Sequence, residues 1–165
     1  MWLGVFLCGL ACAEDQISYI SPNGKLIAII ISLSKTHESK INITDITGKI
    51  LIKEDYTSED GEHGAVIDKI KWTPDSKFLI YITYSSGGHQ AWAYPSYFYS
   101  VENNYIKKFS DYFPAVAESK LDVIKPDIVK ISIWTPLTEN INLDESVVLP
   151  IQFKMSDLIK PKGIH

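Results

Sequence analysis

Cysteine is almost absent. The 165-residue chain has two, Cys8 and Cys12, both at the extreme N-terminus. From residue 13 onward there is no thiol, which excludes a disulfide framework, a thiolate nucleophile and a zinc–thiolate site there. Excess positive charge is missing too. Sixteen Lys and Arg face twenty Asp and Glu, for a net charge of -4 and a pI near 5.5. No basic field exists to neutralise phosphates, so a nucleic-acid partner is not expected. Long apolar runs are lacking as well. The longest N-terminal one, Trp2 to Leu10, is too short to cross a bilayer.

Catalytic and metal signatures are also missing. No H-E-x-x-H pair sets two histidines on one helical face, and no G-x-S-x-G elbow presents a serine. His37, His63, His89 and His165 fall in separate predicted loops or at the terminus. The loop "EDGEHG", Glu59 to Gly64, gathers Glu59, Asp60, Glu62 and His63. Its spacing lacks the alternate-position ligands and closing bidentate glutamate of a calcium loop, so it reads as a polar connection. Neither a metal nor an organic cofactor is implied.

What is present begins with the N-terminus. "MWLGVFLCGLACAEDQ" carries no charged side chain until Glu14. Ala11-Cys12-Ala13 puts small residues where a signal peptidase needs them, so residues 1–13 are expected to be a signal peptide cleaved before Glu14. The alternatives are a buried N-terminal strand and lipid attachment at Cys12, but for the latter Gly9 stands where a lipoprotein signal usually has leucine. Periplasmic or secreted residence follows from this reading.

The full chain has 45% hydrophobic and 22% charged residues, the balance of one globular domain, expected over 14–165. Short runs rich in Ile, Val, Thr and aromatics alternate with turn residues. Strands are predicted at 16–20, 26–33, 40–44 and 49–53, then at 66–72, 78–84, 97–101 and 105–109. Two more, at 128–134 and 147–155, form a final pair. A helix is predicted within 113–127, with Pro114 near its start and Pro126 beyond its end.

The order of elements repeats. "ISPNGKLIA", Ile20 to Ala28, matches "WTPDSKFLI", Trp72 to Ile80. Each has an apolar anchor, a hydroxyl residue, proline, Asn or Asp, one small residue, lysine and then a strand. Pro22 or Pro74 presets the first turn residue, and Gly24 can take positive φ to restart the ladder. Ser76 replaces that glycine in the second copy, at a conformational cost.

Ser21, Pro22, Gly24 and Lys25, with Thr73, Pro74, Asp75 and Lys77, resemble the blade hairpins of TolB-like, WD-type β-propeller repeats. Trp72 fits the aromatic anchor of that family and is expected in the core, and the resemblance covers roughly residues 16–109. It implies two blade-like units, 16–54 and 66–109, with residues 110–165 as a C-terminal cap. Two blades cannot close a ring of roughly four to eight. The expected fold is therefore all-β: two packed four-stranded antiparallel blade-like sheets plus a short helix and a C-terminal strand pair. The C-terminal strands would cover a sheet edge, or the chain would oligomerise.

The richest stretch is "SSGGHQAWAYPSYFYS", Ser85 to Ser100. Tyr97, Tyr99 and Val101 alternate with Phe98 and Ser100 on a strand, where aromatics serve as core. His89, Gln90, Trp92 and Tyr94 precede that strand in a connection longer than its counterpart in the first repeat. Exposed Trp and Tyr supply large contact area with few rotors, so these four are the expected binding residues. Blades of this kind usually serve as protein- or peptide-binding scaffolds, which implies an exported, non-enzymatic interaction module. Two alternatives are a periplasmic enzyme inhibitor that inserts the 86–92 loop, and a secreted hydrolase using His89.

Overall fold

The computed structural model describes residues 14–88, 93–136 and 146–159. The chain is all-β, built from three antiparallel sheets. Strands β1 (Glu14–Ile20), β2 (Leu26–Leu33), β3 (Ser39–Asp45) and β4 (Ile50–Asp55) form the first sheet in sequence order. Strands β5 (Ala65–Trp72), β6 (Phe78–Ser85), β7 (Ser96–Ser100) and β8 (Tyr105–Lys108) form the second in the same way. The third has the order β11-β10-β9, from β9 (Asp122–Ile124), β10 (Ile128–Pro136) and β11 (Ser146–Lys154).

The sheets stack by their faces, and the alternation of side chains along β6 shows how. Leu79 and Tyr81 point to the first sheet, where they meet Ala28, Ile30, Ile41 and Ile43. Phe78, Ile80 and Ile82 point the other way, onto Val129, Ile131 and Ile133 of the third. A strand covered on both faces has no polar side to present, which is why "FLIYI" reads as an unbroken apolar run. β2 is covered on one face only, so Leu26, Ala28 and Ile30 are buried while Ile27, Ile29 and Ile31 are half-exposed.

The two proline hairpins share one turn. Ser21 Oγ accepts from the Leu26 N–H at 3.0 Å, and Thr73 Oγ1 accepts from the Phe78 N–H at 3.0 Å. The Gly24 and Ser76 N–H groups donate to the Ser21 and Thr73 carbonyls, each at 2.8 Å. Lys25 and Lys77 donate to the Asn23 and Asp75 side chains. Gly24 has φ 71° and Ser76 has φ 63°, so the serine adopts the left-handed geometry that glycine takes in the first copy.

Three expectations are corrected. No helix forms within 113–127. Val116 is bridged instead to Ile133, and the Trp134 N–H donates to the Ala115 carbonyl. Val116 and Leu121 bury separately rather than along one helical stripe, so extended pairing with β10 wins over helix propensity. The described helices are a 3₁₀ turn at Phe109–Asp111 and a single α-helical turn, α1 (Met155–Leu158). The final strand pair gains β9 as a third member, and it covers a face of the second sheet rather than an edge. Trp72 is half-buried rather than deep in the core. Its ring packs edge-on against Tyr99, and its Nε1–H donates to the Tyr19 carbonyl at 2.9 Å.

Candidate functional site

All connections that leave β2, β4, β6 and β8 emerge at one end of the first two sheets, because every strand runs antiparallel to its neighbours. One side chain ties three of them together. Glu38, from the β2–β3 connection, is 0% exposed. Its Oε2 accepts from the Ser58 N–H at 2.9 Å. Its Oε1 accepts from Ser58 Oγ at 2.8 Å, the Gly64 N–H at 2.8 Å and Ser86 Oγ at 2.7 Å. Ser58 and Gly64 belong to the β4–β5 connection, and Ser86 to the β6–β7 connection.

Burial pushes the Glu38 pKa up, but the donors from Ser58, Ser86 and Gly64 outweigh it and hold the carboxyl below its ordinary value. A buried carboxylate costs several kcal/mol to desolvate unless its lone pairs are filled, as here. The backbones are correspondingly close. A Cβ at Gly64 would collide with the Glu38 carboxyl and the Tyr56 carbonyl, and one at Gly87 with the Glu62 carbonyl. That is why glycines stand at both places.

The loop read as a polar connection carries one ordered pair. His63 Nδ1 lies 2.5 Å from Asp60 Oδ2, both side chains being well exposed. Hydrogen bonds from Glu62, His63 and Ser58 hold the Asp60 carboxyl far below its usual range, and Asp60 raises the His63 pKa. The imidazole has its Nδ1 side fixed and its Nε2 side turned away from that partner. Among the described residues no group of three His, Cys, Asp or Glu side chains is placed to hold a metal ion.

Of the four expected binding residues, His89, Gln90 and Trp92 lie outside the described residues. Tyr94 is half-buried and packs against the core shared by the second and third sheets. Its N–H donates to the Val116 carbonyl at 2.8 Å. Beside it opens a mainly apolar cleft of about 240 Å³, bounded by Pro95, Lys108, Phe109 and Val116. Ser86 begins the same connection and is fastened to Glu38. Thus residues 86 and 94, on either side of 89–92, are both anchored to the scaffold. The sequence singled out this connection without showing what holds it. Glu38 sits in "THESK" among ordinary loop residues, and only the tertiary contacts distinguish it.

Fold and site together define an all-β protein of face-stacked antiparallel sheets with a braced loop end. No family model matches the chain, and no curated protein matches it. Among solved structures, it is similar to a conserved Clostridium novyi NT protein assigned to the lipoproteins, with 17% identity and a TM-score of 0.49. That likeness covers 88% of this chain and 90% of that one. A puromycin hydrolase variant in complex with PGG is similar at 10% identity and a TM-score of 0.33, over 85% of this chain. This chain spans only 27% of that enzyme. Among the described residues, no helix is long and apolar enough to cross a membrane.

Proposed function

We propose that the protein is an exported, non-enzymatic interaction module that presents a protein- or peptide-binding surface at its loop end, centred on His89, Gln90, Trp92 and Tyr94. One observation carries this reading: the fully buried Glu38 carboxylate, which joins three connections at that end. Residues on connections held by a rigid scaffold are disproportionately those that bind partners. A carboxylate withdrawn from water to fix three loops favours a pre-organised surface, which lowers the ordering cost of association.

The matched turns around Pro22 and Pro74 support reading the first two sheets as blade-like repeats of the TolB-like, WD type. Ala11-Cys12-Ala13 supports a mature chain that begins after Ala13. N-terminal sequencing of exported protein is expected to return Glu14 first. An intact Met1 or a lipid on Cys12 would contradict it.

The binding surface is tested by photocrosslinking in the native envelope fraction. A photoreactive residue at position 92 should capture a partner protein. The same residue at Ile46, in the turn at the opposite end, should not. Equal capture from both positions refutes the assignment.

A further inference from the structure

A second cleft lies between the first and second sheets, where β4 and β8 diverge. Its volume is about 430 Å³, and Glu54, Tyr56, Tyr97, Lys108 and Asp111 line it. The aromatic wall is built from inside. Tyr97 stacks on the fully buried Tyr81, with centroids 5.2 Å apart and planes at 13°, and Tyr56 lies 5.3 Å from Tyr97. The Tyr56 and Tyr81 hydroxyls are 2.7 Å apart. One of the two hydroxyls donates to the other, which satisfies the buried Tyr81. The half-buried Tyr56 hydroxyl keeps further hydrogen-bonding capacity for the cleft. Burial raises the pKa of both hydroxyls and of Tyr97, so all three stay protonated donors at neutral pH.

The charges at the rim are unspent. Among the described residues, the side chains of Glu54, Asp111 and Lys108 form no hydrogen bond or ion pair, and the Lys108 ammonium stands 5.9 Å from the Tyr97 ring centre. Lys107 also borders the cleft, but its ammonium lies over the Tyr105 ring and toward the Tyr112 hydroxyl.

These groups narrow the ligand class. An anion would meet two carboxylates, and a cation would meet the Lys108 ammonium. An apolar molecule would strip water from all three charges without replacing it. A ligand whose every polar group both donates and accepts satisfies acceptor-only carboxylates and a donor-only ammonium together, and hydroxyl groups do this. The apolar C–H face of a sugar ring would also cover a flat tyrosine.

We propose that this cleft binds a neutral saccharide, its hydroxyls donating to Glu54 and Asp111, accepting from Lys108 and hydrogen-bonding to Tyr56, with a ring laid on Tyr97. This cleft adjoins the loop-end surface and shares Lys108 with the Tyr94 cleft, but its assignment rests on the tyrosine wall and rim charges and not on the loop-end reading.

The test is an NMR titration of the ¹⁵N-labelled protein with maltotriose, cellotriose and chitotriose, each to millimolar concentration. At least one should shift the amides of Tyr97, Ile106 and Lys108 while leaving those of the β1–β2 turn unmoved. Glu54→Gln and Lys108→Ala, both at exposed positions, should keep the native spectrum and weaken that binding at least fivefold. The Gly-Phe-Gly-Glu-Gly peptide and glucuronate are the controls. Localised shifts from either control in place of the sugars would overturn the proposal. So would an absence of localised shifts with all three sugars, or affinities unchanged in both variants.

Discussion

The Asn23 backbone N–H donates to Ser76 Oγ at 3.0 Å, joining the turn of the first repeat to the turn of the second. This contact accounts for a serine where the first copy has glycine. Ser76 is buried and holds φ 63°, a left-handed conformation that costs a residue with a Cβ about 1–2 kcal/mol. Its hydroxyl gains a partner that glycine does not have.

Ser76→Ala keeps the backbone cost and loses the acceptor, so it should destabilise by about 1–3 kcal/mol. Ser76→Gly loses the same acceptor but relieves the backbone, so its loss should be smaller. Urea unfolding of the two variants checks the order. Equal losses would mean that the Asn23 contact contributes nothing.

Glu38→Gln should destabilise by about 3 kcal/mol, because an amide turns a donor toward donors in a site built for a carboxylate. The pH dependence has a definite sign. The folded pKa of Glu38 is depressed, so its contribution is present above the ordinary value of 4.5 and is lost as pH falls through the lower folded value. Unfolding curves of the native protein should therefore lose stability on acidification below about pH 4.5. In Glu38→Gln that part of the slope should vanish, and an unchanged slope would be evidence against the clamp.

His63 tests the loop directly. Asp60 raises its pKa, so the contribution of the charged pair is present below the ordinary value of 6.5 and is lost as pH rises through the elevated folded value. An NMR titration of the imidazole should give a midpoint above 6.5, and Asp60→Asn should lower it. Identical midpoints in the two proteins would show that the pair does not form in solution.

Tyr99 and Trp92 separate core from surface. Tyr99 is buried against the first sheet, so Tyr99→Ala should cost about 3–5 kcal/mol in thermal or chemical unfolding. Trp92→Ala should leave the melting temperature nearly unchanged while weakening capture of the loop-end partner by more than about 1 kcal/mol. A large stability loss from Trp92→Ala would place that side chain in the core.

Element existence was legible wherever period and turn chemistry agreed. The Ile-rich run Leu26–Leu33 and the Pro-containing turns marked strands and hairpins locally, since proline and positive-φ residues allow few other paths. The segment 113–127 was misleading because its proline-bounded apolar residues resemble a helix. Yet Val116 finds its partner on β10, seventeen residues onward at Ile133. Trp72 was legible as an anchor but not as a half-exposed one, because its position depends on the neighbouring β1 carbonyl it caps.

By itself, the sequence determined an all-β chain with two equivalent hairpins and a long aromatic connection, because turn geometry and side-chain alternation act over a few residues. Only the tertiary structure decided how the sheets stack, that Glu38 collects donors from two other connections, and that Tyr56, Tyr81 and Tyr97 share one cluster. Those contacts join residues from sixteen to about fifty positions apart. Their energies come from burial and from filled hydrogen bonds, which no short stretch of the chain contains.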